Sequence, residues 1–361
     1  MLISSLITEG ARTPLFTGNN QYDSTGISYG RDVDKITEKG ETNMFCQGQI
    51  TRNEFLNKNF IPVEYKPSSV FVRGPYENPS VLSGYSYVMG MYPETVEGVD
   101  LMSGLTDLDY IPITNDEVDQ VRFDVDGGKP TCGDQRLDYY PGNDDREYLI
   151  KPFEIYKGQS DKMNSQMYDA QKEFEGEYGT KLYDNLAKAM NKDSKDINFG
   201  NTIKYLDDYI SAKANGKDVP YDLDDETQDL IGKYYAYYYK RGLFRNENLN
   251  RVFTDSYFTN LAQELQLKIE NIQEDKYEDQ FINDLKTSIH ISDQQTYLAV
   301  LHQIGDQSDY VPKFGQKIDW ELIDKSGEYF VKASQNGEPL SLEGNADSDG
   351  IVHIDIMFEY L

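Results

Sequence analysis

Cysteine, histidine and tryptophan are scarce in this chain of 361 residues, which has two, three and one of them. Two cysteines, Cys46 and Cys132, exclude a disulfide framework and leave one bridge or two free thiols equally open. Long apolar runs are also missing, and none of the runs present is long enough to cross a bilayer. We therefore expect no membrane insertion.

Basic residues are few as well, with 35 lysines and arginines against 63 acidic side chains and a formal net charge of -28. Such a charge repels nucleic acid and anionic membrane surfaces, so neither is an expected partner. An acidic or extracellular setting suits this surface, because some carboxylates become neutral as the pH falls. The apolar segment that follows Met1 directly is not a signal peptide, so we expect an extracellular or acidic lumenal protein with a processed N-terminus. The alternative is a cytoplasmic protein.

Short apolar strands alternate with helical patterns in the first third of the chain. "ITEKGETNMFCQGQITRNEFL" is typical of a helix, "SSVFVR" of a strand and "SVLSGYSYVMGMY" of a second helix. This order predicts an α/β core, a mixed and mainly parallel sheet flanked by helices, formed by residues 1–129 and 284–361. Residues 130–283 have helical spacing throughout, which predicts an inserted all-helical cap domain. The tyrosines of "KYYAYYYKRGLF" in that segment indicate core packing.

Several short motifs occur in an order that resembles the histidine acid phosphatases. "TEGARTP" resembles the Arg-His-Gly-x-Arg-x-Pro signature of that family, and "ITEKGETNMFCQGQITRNEF" resembles its Leu-Thr-x-x-Gly helix. "VRGPYENPSVLSGYSYVMGMYP" resembles the Arg-Ser-Thr segment, and "SIHISDQQTYLAVLHQIG" the strand and helix around the His-Asp pair. The resemblance implies a mixed sheet flanked by helices with an inserted helical cap. It also implies a phosphate site at the carboxyl ends of the strands.

The resemblance implies a degenerate catalytic pocket. Arg12 and Arg73 stand at two phosphate-binding arginine positions, and Asp293 stands at the position of the proton donor. The first arginine of the signature is replaced by a threonine, the nucleophilic histidine by a glutamate, and the second histidine by a serine. These replacements are Thr8, Glu9 and Ser292. We expect Glu9 to form an ion pair with Arg12 or Arg73 in place of phosphate.

The three histidines, His290, His302 and His353, all lie in the last quarter of the chain, so none follows the first strand. Phosphohistidine chemistry at the signature is therefore excluded. His290 lies two residues before Ser292 and is the candidate to substitute for the missing histidine. If the two residues lie in a strand, their side chains face the same side. We expect His302 and His353 to be structural.

The favoured function is a catalytically inactive relative of the histidine acid phosphatases, without a cofactor, that serves as a structural or binding subunit of an assembly. Its partners would be further copies of itself or other subunits, and the 29 tyrosines favour such interfaces. The alternatives are a divergent acid phosphatase that hydrolyses phosphate monoesters through His290 or Glu9, and a phosphate-binding module.

A weaker pattern lies near the C-terminus, where Asn345, Asp347 and Asp349 alternate before a glycine in "NADSDG". This spacing resembles the first half of a calcium loop, but the terminal glutamate is missing. A tight turn between two strands explains the same residues.

Overall fold

The computed structural model describes residues 1–15, 34–58, 60–63, 65–75, 77–92, 139–142, 160–218, 223–274, 280–305 and 310–360. Within them lies a sheet of eight strands. The strands are β1 (Ile3–Thr8), β2 (Val70–Pro75), β3 (Tyr139–Gly142), β4 (Thr287–Ser292), β5 (Lys317–Lys325), β6 (Glu328–Gln335), β7 (Glu338–Pro339) and β8 (Ile351–His353).

The α-helices of the described residues flank this sheet or form the middle of the chain. They are α1 (Glu38–Asn57), α2 (Asn78–Met91), α3 (Ser160–Tyr178), α4 (Lys181–Ala189), α5 (Phe199–Ala214), α6 (Asp225–Ala236), α7 (Glu247–Glu274), α8 (Gln280–Asp284), α9 (Gln294–Gln303) and α10 (Ile354–Tyr360). A π-helical segment, Tyr237–Leu243, follows α6. No described helix combines the length and the apolar character that a bilayer span requires.

The sheet has a parallel half and an antiparallel half. Its order is β3-β2-β4-β1-β5-β6-β7, with β8 also paired to β6. The pairings among the first four strands, β1 to β4, are parallel. The pairings of β5 with β1, of β6 with β5, and of β7 and β8 with β6 are antiparallel. β4 comes from the last quarter of the chain but lies between β1 and β2. The parallel half of the sheet is therefore complete only when this late strand has packed between two early ones. The mixed sheet flanked by helices that the sequence predicts is confirmed.

Apolar residues of the central strands alternate between two buried clusters. Ile7 and Ile291 face a cluster with α1 and α2, whereas Leu6 belongs to a larger cluster that includes α7 and α9. Gly48 of α1 and Gly90 of α2 allow their helices to cross closely, because a Cβ atom at either position would lie within 2 Å of a carbonyl oxygen of the other helix. The central strands therefore have helices packed on both faces.

β3 lies inside the range 130–283, which we expected to be entirely helical, and it adds an edge strand to the sheet next to β2. The sequence pattern missed this strand because "YYPG" is too short to show alternation. The larger apolar cluster contains residues of the sheet and residues of the helices α3 to α7. The division into a core domain and a cap domain stays a prediction.

The tyrosines of the middle segment are packed in the interior, as the sequence indicates. Tyr234 and Tyr235 are almost fully buried, and Phe174 contacts Tyr234 and Tyr237 with ring centroids 5.9 and 5.5 Å apart. Edge contacts of this kind stabilise aromatic clusters beyond the area that they bury. These side chains are core residues of the helical layer.

Candidate functional site

The carboxyl ends of β1 and β4 lie side by side and bring two expected site residues to one edge of the sheet. Thr8 and Ser292 are in register as the last residues of their strands. The backbone N–H of Glu9 donates to the carbonyl of Ser292 across 3.2 Å. Glu9 and Asp293, which follow the two strands directly, therefore begin the turns at the same end of the sheet.

The turn after β1 lies directly against the first turn of α1. A Cβ atom at Gly10 would lie 2.7 Å from the carbonyl oxygen of Gly40, and one at Gly40 would lie 2.0 Å from that of Ala11. The N–H of Gly10 donates to the Ser83 hydroxyl of α2 across 2.9 Å. The close packing at Gly10 and Gly40 and the hydrogen bond of Ser83 thus fix the position of the turn that carries Glu9.

The side chain of Glu9 is buried and accepts a hydrogen bond from the hydroxyl of Ser80, in the first turn of α2. Burial raises the pKa of Glu9 to about 7, which outweighs the lowering by the Ser80 hydrogen bond and by the charge of Arg12. The carboxylates of Asp34 and Asp293 raise it further. Glu9 therefore changes its charge near neutral pH.

Arg12 forms an ion pair with Asp207 of α5. Its Nη2 donates to Asp207 across 3.0 Å, and its Nη1 donates to the carbonyl of Thr13 across 3.0 Å. The guanidinium also lies over the ring of Phe314, 5.4 Å from the centroid. The charge of Glu9 also acts on this guanidinium, and the expected ion pair of Glu9 with Arg12 or Arg73 stays a prediction.

Helix α5 fixes the Arg12 segment at further points. Asp207 also accepts from the N–H of Leu15 across 2.8 Å. Asn215, at the end of α5, donates to the carbonyl of Arg12 across 3.1 Å and accepts from Thr37, the N-cap of α1. Sequence reasoning missed these contacts and that of Ser80, since nothing in the helix pattern distinguishes Asp207 or Asn215 from surface residues.

The polar side chains of Thr8 and Asp293, at the ends of β1 and β4, bind backbone groups. Asp293 is the N-cap of α9 and accepts from the N–H of Thr296 across 2.6 Å. Thr8 accepts from the N–H of Gln316 across 2.8 Å. The hydroxyls of Ser292 and Thr296 are buried and have no hydrogen-bond partner among the described residues. Two donors thus lie beside the first turn of α9 without an acceptor there.

Arg73 lies in β2, one strand from β4, in register with His290. Its side chain is half-buried. An ion pair of Glu9 with Arg73 stays a prediction.

His290 makes its contacts on the α7 face of the sheet. Its Nε2 lies 3.3 Å from the Glu264 carboxylate and 3.0 Å from the Ser288 hydroxyl. Its ring makes edge contacts with Phe71 and Tyr257. These contacts place His290 in a buried pair under α7, whereas Glu9 contacts α2. His302, likewise, lies 2.9 Å from the hydroxyl of Tyr310.

The acidic segment near the C-terminus forms a tight turn. One carboxylate oxygen of Asp347 accepts from the N–H groups of Asp349 and Ile351, each across 2.9 Å, and Asn345 donates to the carbonyl of Leu342. Gly350 has a φ of 77°, and a Cβ there would lie 2.4 Å from the Ala333 carbonyl. No group of three or more metal-ligating side chains occurs among the described residues. The geometry favours the turn over the calcium loop.

The predicted cysteine alternatives are not decided. Cys46 is buried in α1, and Cys132 lies outside the described residues.

The chain is similar to solved structures of phytases and of an inositol polyphosphate phosphatase. The chain is similar to the phytase of Citrobacter braakii, with a TM-score of 0.62 and 11% identity over 99% of this chain and 96% of that one. It is similar to the phytase of Klebsiella sp. ASR1, with a TM-score of 0.60 and 12% identity over 99% and 94% of the two chains. The chain has the histidine acid phosphatase fold. The multiple inositol polyphosphate phosphatase of Bifidobacterium longum, solved with inositol hexasulfate, has a TM-score of 0.60 and 8% identity over 98% and 90% of the two chains.

Neither a family model nor a curated protein matches the sequence. At this identity the similarity extends to the fold alone.

Proposed function

We propose that this protein has the phosphatase fold without phosphatase chemistry and acts as a binding or structural subunit. The observation that carries the proposal is the buried carboxylate of Glu9 at the end of β1, hydrogen-bonded by Ser80. That position is where the resemblance requires a histidine that attacks phosphorus. A carboxylate there repels the phosphoryl group that it would have to attack.

The charge around Glu9 supports the same proposal. The guanidinium of Arg12 is already balanced by the carboxylate of Asp207. Asp293 and Asp34 add negative charge near Glu9. A phosphate monoester that entered at neutral pH would meet more anionic than cationic groups among these residues. Carboxylate nucleophiles of phosphoryl transfer need extra cations, which these residues do not provide.

The second candidate is a divergent phosphatase that hydrolyses phosphate monoesters. The raised pKa of Glu9 favours it, because a carboxyl group that titrates near 7 is suited to general acid or base catalysis. The three similar structures described above are a further argument, since their names record phytases and an inositol polyphosphate phosphatase. In this candidate Asp293 would protonate the leaving group, as the resemblance implies.

Hydrolysis of p-nitrophenyl phosphate and of inositol hexakisphosphate, measured from pH 4 to pH 8, tests the two candidates. We expect no turnover above the background, because loss of a nucleophile removes about four to six orders of magnitude of rate. Glu9→Ala and His290→Ala serve as matched variants. Turnover in the wild-type protein that either substitution abolishes would establish the phosphatase and overturn the proposal.

The subunit role includes self-assembly or assembly with other proteins in an acidic or extracellular setting. The tyrosines give this part less support than their number suggests, because Tyr234, Tyr235, Tyr237 and Tyr239 are buried in the core. The net charge of -28 opposes association unless salt or divalent cations screen it. Sedimentation velocity across salt and calcium concentrations tests the role, and a particle that stays monomeric under all of these conditions would contradict self-assembly.

A further inference from the structure

An open groove of about 780 Å³ is lined by one face of α7 and by the C-terminal helix α10. The apolar side chains in its lining are Phe258, Ala262, Leu267 and Phe358. Asp255 and Glu270 are the first and the last lining residues along α7, and the other three are polar and uncharged. None of the described residues that line the groove belongs to the candidate site at the end of β1. The groove is therefore a second, separate feature of the surface.

Exposed apolar side chains are concentrated on the same two helices. Among the described residues eight large apolar side chains are exposed, and four of them lie on α7 or α10, namely Val252, Leu267, Ile272 and Ile356. Leu267 is 44% exposed and lines the groove. Val252 lies three residues before Asp255, so it extends the lined face of α7 by one turn. Exposed apolar side chains that adjoin an apolar groove mark an interaction surface.

The length of the groove fits a helix. Its lining extends along α7 from Asp255 to Glu270, which is about four turns, or about 22 Å. An amphipathic helix of about 15 residues has the same length and can pack its apolar face against α7. The apolar lining residues lie between the two carboxylates. A matching helix therefore needs apolar side chains in its middle and charged groups near both of its ends.

The charges around the groove favour a basic occupant. Asp255 and Glu270 are exposed, and no lysine or arginine is among the described residues of the lining. α10 adds two exposed carboxylates, those of Asp355 and Glu359. A second copy of this chain, with its net charge of -28, would bring like charges to these carboxylates. Lysine and arginine side chains of a different protein would complement them.

We propose that the groove between α7 and α10 binds a basic amphipathic helix of another protein. The apolar side chains of that helix pack against Phe258 and Phe358, and its lysines or arginines pair with Asp255 and Glu270. The short side chain of Ala262 leaves space for a large apolar side chain of the partner near the middle of the groove. The inference rests on the proposed function, because it names the surface and the partner chemistry of a binding subunit.

Fluorescence anisotropy with two labelled peptides tests the proposal. The probe is a peptide of about 18 leucines and lysines with the leucines at helical spacing, and the control peptide has the same composition in an order without an apolar face. Both peptides carry the same charge, so attraction to the net charge of -28 acts on them equally. We expect the amphipathic probe to bind about tenfold more tightly than the control peptide, or better, because only the probe can fill the groove.

Ala262→Arg fills the groove and adds a positive charge to it, so we expect it to weaken binding of the amphipathic probe about tenfold or more. Val63→Arg is the matched control, because it adds the same charge at a position that is 71% exposed and outside the groove. The control should change the affinity by less than about twofold. Leu267→Gln is a second groove variant, which removes an exposed apolar contact, and we expect about threefold weaker binding. Circular dichroism confirms that each variant is folded.

Equal binding of the two peptides, or equal binding of the probe by the wild type and both groove variants, would overturn the proposal. A wild-type dimer in sedimentation velocity that Ala262→Arg dissociates would also overturn it, since a second copy would then occupy the groove. Turnover of p-nitrophenyl phosphate by the wild-type protein would overturn the proposed function without changing peptide binding, so the two failures are distinguishable.

Discussion

Arg12 and Asp207 are 195 residues apart in sequence and form a buried ion pair with an Nη2 to Oδ1 distance of 3.0 Å. The pair joins the turn after β1 to α5 in the helical part of the chain. It leaves Glu9, three residues before Arg12, with a hydroxyl as its direct partner. The side-chain partners within the candidate site therefore depend on α5, a helix from a distant part of the sequence.

Asp207→Asn should destabilise the protein by about 3–5 kcal/mol, because it removes the carboxylate that is hydrogen-bonded to the buried guanidinium of Arg12. Urea denaturation followed by circular dichroism measures this free energy of unfolding. Asp229→Asn is the control, since Asp229 pairs with Lys233 on an exposed surface of α6. The control should change stability by less than about 0.5 kcal/mol. Equal effects of the two substitutions would contradict the structural role of the Arg12 pair.

Glu9 should make stability depend on pH in a direction opposite to that of most carboxylates. Its pKa is about 7 in the folded protein against an ordinary value of 4.5, so between these pH values the folded state binds more protons than the unfolded state. The contribution is complete below about pH 4.5 and is lost as the pH rises through 7. It amounts to about 3 kcal/mol for a shift of this size.

Glu9→Gln removes this dependence. We expect the free energy of unfolding of the variant, relative to that of the wild type, to increase by about 3 kcal/mol between pH 4.5 and pH 8. Urea denaturation of both proteins across this range measures the difference. A constant difference across the range would show that Glu9 does not titrate near neutral pH.

Gly40→Ala should destabilise the protein by about 1–3 kcal/mol or more, because the new methyl group would meet the carbonyl of Ala11. Gly232→Ala is the matched control in α6, where a Cβ atom would have no neighbour within 4 Å. Alanine favours helices over glycine, so the control should stabilise the protein by about 0.5–1 kcal/mol. Thermal melts of the two variants report opposite signs if the turn after β1 lies against α1 as described.

His290→Phe should lower stability by about 1–3 kcal/mol, because it removes a buried partner of the Glu264 carboxylate. The pKa of Glu264 supports the pairing, since burial alone would raise it and the contacts with His290 lower it on balance. His353→Phe is the control, because His353 is partly exposed and pairs with the exposed Asp355. Urea denaturation measures both variants, and equal effects of the two substitutions would contradict the buried pairing of His290 with Glu264.

Sequence patterns were sufficient for the strands and helices that carry clear periodicity. Apolar runs predict β1 and β2, helical spacing predicts α1 and α2, and the resemblance predicts the strand and helix that are β4 and α9. Local propensity decides these elements, so their positions can be read along the chain. β3 escaped prediction because four residues, one of them a proline, show no period.

The sequence by itself also determined that no histidine follows β1, and its resemblance to the family predicted Glu9, Arg12, Arg73, Ser292 and Asp293 as the candidate pocket. Only the tertiary structure decided the partners of Glu9, Arg12 and Asp293. Asp207 and Ser80 reach the site from α5 and α2, and their contacts arise when the helices are packed against the sheet. Burial, which moves the pKa of Glu9, likewise exists only in the folded chain. Spacing along a sequence specifies neighbours within one element, whereas ion pairs and desolvation depend on which elements meet.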